Sequence, residues 1–480
     1  LPDQCRNKIV SSLIWKLLER GGTQGIQFIL SIILARLLMP NDYGIIALIT
    51  IFLALANCFV QSSFNTALIQ KKNADETDFS SVFYLSLFIA FVFYFLIFFL
   101  APFIAKFYHV PILVLVLRVL SLTLFFGAIN SVQYAKVSKT MQFKRFFYSS
   151  IVGVLCSGLV GVFLAYKGYG VWALITQQLV NNLIISIILW FTVKWRPRLL
   201  FSIKRLNKLF SYGWKLLFSS LLDTIYTNIY GLVIGKYYDS AMLGLYNRGQ
   251  QFPGMIVTNI NGSIQSVMLP ALSERQNEIG TVKNMARRSI KSSSFIVLPL
   301  MMGLAVIAKP LVSVLLTDKW ISCVPFLQLS CIVYALYPVH TANLTVINAI
   351  GRSDIFLKLE IIKKIIVTVM LIVTIRYGIY AMAIGQVITS CIATFINAYP
   401  NKKLLNYDYL EQLKDLLPSI VLSFVMGASI YTLKFFSLSD GVLIIMQIVS
   451  GIAIYFLFAK LLRFESYEYL VQTFKQIKKY

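Results

Sequence analysis

The reading of this chain starts from Trp15-Lys16-Leu17-Leu18-Glu19-Arg20, which opens an apolar run that closes on Arg36-Leu37-Leu38-Met39-Pro40-Asn41-Asp42-Tyr43-Gly44. The pattern returns further on as Trp214-Lys215-Leu216-Leu217, a second apolar run, Lys236-Tyr237-Tyr238, a short turn and Leu243-Gly244. Trp15 maps to Trp214, Arg36 to Lys236 and Gly44 to Gly244, an offset of 199 or 200 residues. A self-similarity of this length signals duplication. The chain therefore reads as two similar halves, each beginning with the same kind of helix.

Working outward, the composition names the solvent. Of 480 residues, 58% are hydrophobic and 13% charged, and mean hydropathy is +0.75. Apolar runs of about 20 residues recur throughout, and each can cross a bilayer core as a helix. Fourteen spans are expected, from 11–36 to 440–461. The weakest are the fourth (112–134), which holds Arg118, and the eleventh (359–376), broken by Lys363 and Lys364. The formal net charge of +25 would suggest nucleic acid in a soluble protein. Here the charge sits in short loops between spans, so it reads as topology. Basic residues crowd alternate loops, such as Lys136 to Arg145, Lys194 to Lys208 and Arg275 to Lys291. That alternation predicts both termini on the cytoplasmic side. The first apolar run carries internal charges, so a retained helix is expected rather than a cleaved leader. All six tryptophans fall near span ends, where an interfacial belt is expected. The six cysteines show no CxxC spacing and the two histidines are isolated, which argues against a disulfide framework or a metal site.

The repeat extends beyond the first helix pair. Ala101-Pro102-Phe103-Ile104 answers Lys309-Pro310-Leu311-Val312, and Lys167-Gly168-Tyr169-Gly170 answers Arg376-Tyr377-Gly378-Ile379. Six spans per half is an even number, so both halves enter from one side, as a parallel repeat about the membrane normal. The expected organisation is an N-terminal six-helix bundle (1–200), a second (201–400), and two further helices with a tail (401–480). Loop 194–208 joins the halves and is basic enough to sit on anionic lipid.

Charge inside a span is costly, about 2.5–3.5 kcal/mol per Arg or Lys at a helix centre, so its placement carries information. Lys16, Arg20, Gln24, Gln27 and Ser31 form one polar stripe on the first helix. Lys215, Ser219, Asp223, Thr227 and Tyr230 form the matching stripe on the seventh. Two equivalent helices with a wet face suggest a shared aqueous cavity. Plainer readings stand beside this one. Lys16 and Lys215 can snorkel to headgroups. Arg20 can pair with Glu19, and Asp223 with Lys215. Arg118 and Arg248 can snorkel or line the cavity. Lys363 and Lys364 follow Glu360 closely enough for a local ion pair. If the cavity is real, its cations suit an anion, and arginine forks suit phosphate oxygens. The candidate substrate-binding residues are Lys16, Arg20, Gln24, Lys215, Arg248 and Arg118. Asp223 and Glu19 are the candidates for ion coupling. No catalytic or metal-ligating set is present in the sequence pattern.

With these residues in hand, the chain resembles the polysaccharide flippases of the multidrug/oligosaccharidyl-lipid/polysaccharide exporter superfamily, most closely the O-antigen and colanic-acid-exporter-type branch. The resemblance rests on Arg36 to Gly44, Phe107-Tyr108-His109-Val110-Pro111, Ala165 to Leu174, Gly235-Lys236 with Leu243 to Arg248, Lys319-Trp320, and Gly351-Arg352-Ser353-Asp354, in family order. It implies an all-α membrane fold of two six-helix bundles plus two helices. It implies movement of an undecaprenyl-diphosphate-linked oligosaccharide from the cytoplasmic to the outer leaflet of the bacterial inner membrane by alternating access. Proton or sodium coupling is implied, with no other cofactor. The implied partners are that lipid-linked glycan, membrane lipids, and the polymerase and chain-length machinery, with no nucleic acid. The rival within the fold is a cation-coupled multidrug antiporter, which would favour acids over Lys and Arg in the cavity. A membrane enzyme on the same carrier would need a large outer loop, and the outer gaps are short.

Overall fold

A computed structural model describes residues 3–71, 74–436 and 438–477. No strand occurs among them. The chain divides into two compact units, Leu1–Gly244 and Leu245–Tyr480. The first holds α1 (Asp3–Leu37), α2 (Pro40–Gln70), α3 (Glu76–Tyr108), α4 (Leu113–Thr140), α5 (Phe143–Tyr166), α6 (Val171–Thr192), α7 (Ile203–Tyr237) and the start of α8 (Ser240–Glu274). The second holds the rest of α8, then α9 (Ile279–Leu316), α10 (Asp318–Ala349), α11 (Ser353–Thr374), α12 (Ile379–Leu405), α13 (Tyr409–Phe435), α14 (Asp440–Leu461) and α15 (Glu465–Ile477).

Eleven helices among the described residues are long and apolar enough to cross a membrane. The helices at the first, eighth and eleventh positions, α1, α8 and α11, span 35, 35 and 22 residues but are not among them. The reason is chemical: α1 and α8 are rich in polar side chains, and α11 carries Lys358, Glu360, Lys363 and Lys364. Lys363 and Glu360 pair at 2.5 Å, one turn apart.

The helix ends follow local chemistry. Pro40 opens α2, where a missing N–H costs nothing, and the Asp42 carboxylate accepts the Met39 N–H at 3.0 Å. Asp75 and Asp78 cap α3 reciprocally, at 3.0 and 3.1 Å. Gly170 before α6 and Gly378 before α12 both have positive φ (53° and 100°), which a side chain would strain. These are the two glycine turns that the sequence repeat aligned.

Prolines inside helices free the carbonyl one turn back, and the fold serves those carbonyls from other helices. Arg118 Nε donates to the Phe98 carbonyl, four residues before Pro102, at 3.3 Å. The Tyr455 hydroxyl donates to the Phe295 carbonyl, four residues before Pro299, at 2.8 Å. In a bilayer, where water cannot step in, such donors replace the bond that the proline removes.

In the first unit α1 packs on α5, α5 on α6, and α4 on α3 and α6. α7 packs here too, on α2 and α3, with Gly235 against Leu48 and Tyr108 and Gly231 against Ile51. In the second unit α9 is central, touching α10, α13 and α14. Phe295, Leu422, Met426, Tyr455 and Ala459 bury one core there. The basic end of α9 is pinned by ions: Arg287 grips Asp415 with two bonds of 2.8 and 2.6 Å, and Lys291 reaches Glu465 at 2.6 Å. The expected tryptophan belt needs correcting. Trp195 and Trp320 are 5% and 0% exposed; each is packed inside its unit, Trp195 against Phe79 and Phe83 and Trp320 under Arg248.

Candidate functional site

α1 has one packed face and one open face. Trp15 meets Phe147 and Tyr148, Glu19 accepts a hydrogen bond from Ser150 at 3.3 Å, Gly22 lies against Ile151, and Leu30 fills the space beside Gly158. All five partners are on α5. The other face holds Lys16, Arg20 and Gln27, exposed, with Gln24 and Ser31 half-buried. The Lys16 ammonium lies 5.4 Å from the Phe143 ring. The stripe that spacing placed on one helix face is therefore largely the face that α5 leaves open, with Lys16 reaching the first residue of α5, while Glu19, off the stripe, belongs to the packed side.

α7 behaves alike. Its packed side carries Thr224, whose hydroxyl lies 3.2 Å from the Cys58 sulfur, and Gly231 and Gly235. Lys215, Ser219, Asp223 and Thr227 are all exposed, and Lys215 lies 6.0 Å from the Trp214 ring. Tyr230, the last member of the expected stripe, is buried.

The two deeper arginines have other work. Arg118 stacks on Phe98 at 4.0 Å while serving its carbonyl. Arg248 is 4% exposed, bonds to Gln251 and lies 5.4 Å from the Trp320 ring. Arg118 is half-buried and Arg248 buried, and each guanidinium makes a bond within the packing of its unit. The signals were in the sequence: Arg118 follows a proline-bearing helix, and Arg248 precedes Gln251 by one turn.

Two features had no sequence signal strong enough to read. The first is an apolar cavity of about 370 Å³ in the second unit, between α9, α13 and α14, with Ile256 of α8 at its wall. Pro299, Leu300 and Gly303 line one side, and Gly451 and Ile452 another. The second is a sealed polar seam. His340 Nδ1 meets the Asn397 amide nitrogen at 3.0 Å. Asn343 and Gln412 exchange two bonds of 2.9 and 3.1 Å, and Asn401 donates to Asn343 at 2.6 Å.

One contact joins the aligned helix starts. A Cβ at Gly44 would overlap the Ser240 carbonyl, and a Cβ at Gly244 would overlap the Pro40 carbonyl. Asn41 and the Ser240 hydroxyl are also bonded. Gly44 and Gly244, and likewise Pro40 and Ser240, are related by the repeat offset of 200, so the two glycine contacts are reciprocal.

A family model described as "Polysaccharide biosynthesis protein" matches residues 33–325. This chain belongs to that family. Its curated relatives include the teichuronic acid biosynthesis protein TuaB of Bacillus subtilis (strain 168), 25% identical over 62% of this chain and 62% of its own length. This match spans a little under two thirds of the Bacillus protein. The lipopolysaccharide biosynthesis protein WzxC of Escherichia coli (strain K12) is 22% identical over 88% of each chain. The succinoglycan biosynthesis transport protein ExoT of Rhizobium meliloti (strain 1021) is 22% identical over 74% of this chain and 72% of its own. Among solved structures, the lipid II flippase MurJ in an inward closed conformation superposes with a TM-score of 0.77 at 17% identity, over 96% of this chain and 100% of that one. An inward-facing multidrug resistance MATE transporter gives 0.61 at 15% identity, over 79% and 95%. At these identities both show the fold alone. The chain is an all-α membrane protein of that family.

Proposed function

We propose that this transporter moves an undecaprenyl-diphosphate-linked oligosaccharide from the cytoplasmic to the outer leaflet of the bacterial inner membrane, with both termini cytoplasmic, for surface polysaccharide synthesis. The observation that carries the reading is the uncovered cationic face of α1, Lys16 and Arg20 with Gln24. An arginine facing hydrocarbon costs about 2.5–3.5 kcal/mol; a water-filled cavity removes that cost. A diphosphate carries several negative charges, and Arg20 offers it a fork of donors, with Lys16 or Lys215 as second cation. The apolar cavity of the second unit suits the other part of such a substrate, its hydrocarbon tail.

The family and the descriptions of ExoT and WzxC support a polysaccharide pathway, and the MurJ-like fold supports a flippase. In this reading the two repeat halves (1–200 and 201–400) rock against each other, and the Gly44–Gly244 contact opens and closes. Asp223 is the candidate site for a coupling proton or sodium ion, being a carboxylate among the hydroxyls of Ser219 and Thr227. The MATE likeness leaves a multidrug antiporter as the second reading; the excess of cations on the open faces disfavours cationic drugs. The deciding experiment replaces Arg20 with Lys, Gln or Ala and scores surface glycan against protein level. Lys should retain part of the function, while Gln and Ala should lose it. Normal display from a well-expressed Arg20→Ala would remove the anion-binding argument.

A further inference from the structure

At the basic end of the first unit lies a cavity of about 250 Å³ lined by none of the stripe residues of α1 and α7. Its walls come from the start of α3, the end of α4, the turn into α5 and the segment after α6. Lys136, Arg145 and Lys194 face it as cations, and Thr140 and Gln142 add polar groups. Its single carboxylate is Glu76, already engaged: Oε2 accepts the Trp195 indole N–H at 2.6 Å, and Oε1 lies 3.7 Å from Lys136. The nearby acids are also taken. Asp78 pairs with Lys71 at 2.5 Å and Asp75 with Arg205. Among the described residues neither Arg145 nor Lys194 has a carboxylate within 4.0 Å. Arg145 gives one N–H to the Thr192 carbonyl, and a guanidinium has five.

The wall formed by residues 193–202 is a strap laid across the start of α3. Trp195 is buried between Phe79 and Phe83. The backbone N–H groups of Arg198 and Ser202 donate to the hydroxyls of Ser80 and Ser81 at 3.1 and 3.0 Å. The cavity is thus a built site with one rigid aromatic wall and an excess of two positive charges. We propose that it binds the phosphate of an anionic phospholipid in the cytoplasmic leaflet. The Arg145 fork and the Lys136 and Lys194 ammoniums hold the phosphate, which ties the α5 turn to the strap. Basic pockets between helices on this side of a membrane are suited to such headgroups. The source could instead be the phosphate of a polyprenyl carrier, so the test separates the two. The site depends on the proposed transport reading only for the side of the membrane it faces.

The experiment measures lipid retention by native mass spectrometry on the full-length protein, from nanodiscs of phosphatidylcholine doped with phosphatidylglycerol. Wild type should retain phosphatidylglycerol, and the Arg145→Gln/Lys194→Gln double variant should bind it at least tenfold more weakly with an unchanged melting temperature. Glu76→Gln, which keeps an acceptor for Trp195 and removes the competing charge, should bind more tightly. Inorganic phosphate and phosphatidylcholine should not displace the lipid. Equal retention by wild type and the double variant would overturn the site. Displacement by stoichiometric undecaprenyl phosphate would overturn the phospholipid assignment. Arg20→Ala should retain the lipid like wild type even where it abolishes glycan display, so the two readings fail separately.

Discussion

The open faces of α1 and α7 and the sealed seam of α10, α12 and α13 use similar side chains for opposite ends. On α1 and α7, Lys16, Arg20, Lys215 and Asp223 are exposed. In the seam, Asn343, Asn397, Asn401 and Gln412 are between 0 and 2% exposed, Asn343 bonding Gln412 and Asn401, and Asn397 bonding His340. Within a bilayer a polar group must be satisfied by protein or by water. Groups satisfied by protein hold helices together; groups left open can meet a ligand. The difference sorts polar residues by role where sequence alone cannot. It also moves Arg118 and Arg248, which have partners inside the packing, to the structural side.

The largest effect should come from the open side and leave stability untouched. Arg20→Ala should reduce glycan display at least tenfold with the melting temperature of the purified protein unchanged. A protein that instead melts early would mean Arg20 is packing, and the comparison would collapse. Next is the reciprocal glycine contact. Gly44→Ala and Gly244→Ala each put a Cβ onto a backbone carbonyl, which must separate the two helix starts. Both should impair transport to a similar degree, because the contacts are repeat-related. Cysteine cross-linking between positions 41 and 240 should fall in both variants; unchanged cross-linking would show that the ends never needed to meet so closely.

The sealed side should show the reverse pattern. Gln412→Leu removes both of its bonds to Asn343, which keeps only those to the Val339 carbonyl and Asn401, and losing a buried hydrogen-bond partner costs about 1–3 kcal/mol. The check is thermal unfolding in detergent, with a double variant Asn343→Leu/Gln412→Leu recovering part of the loss. Additive losses would mean that the pair does not act as a pair. Tyr455→Phe should cost about 1 kcal/mol, one hydrogen bond to the Phe295 carbonyl. A larger loss would mean that the packing of α9 around Pro299 depends on that hydroxyl.

What the sequence made legible is what periodicity and spacing encode. The stripes of Lys16, Arg20 and Gln24, and of Lys215, Ser219 and Asp223, fall on uncovered faces because 3.6-residue geometry alone decides which residues share a face. Glu19, one step off the stripe, lands on α5 for the same reason. Orientation toward a partner helix is not periodic information. Nothing near His340 in the sequence announces Asn397, 57 residues away, or Gln412 beside Asn343, 69 residues away. The tryptophans misled because a position near a span end says nothing of packing: Trp195 is held by Glu76 from another helix.

The smallest effect belongs to an ion pair that is neither sealed nor within the stripes. Asp75 caps α3 and pairs with Arg205. The Arg205 guanidinium, helped by the Asp78 backbone N–H, holds the Asp75 carboxyl down at about 2 from its usual 3.8. A depressed carboxylate stabilises the fold fully above its unfolded pKa and loses that contribution as pH falls through its folded one. The pair should therefore contribute equally at pH 7 and pH 5 and fade only between about 4 and 2. Its side chains are 40 and 49% exposed, so water and salt screen it, and the contribution should stay below about 1 kcal/mol. Asp75→Asn, which keeps the cap oxygen, should lower the melting temperature slightly at low salt and not at 1 M salt, where screening reaches within about 3 Å. A salt-independent loss as large as that of Gln412→Leu would place Arg205 and Asp75 with the sealed groups, and the line between wet and buried polar chemistry would have to be redrawn at the start of α3.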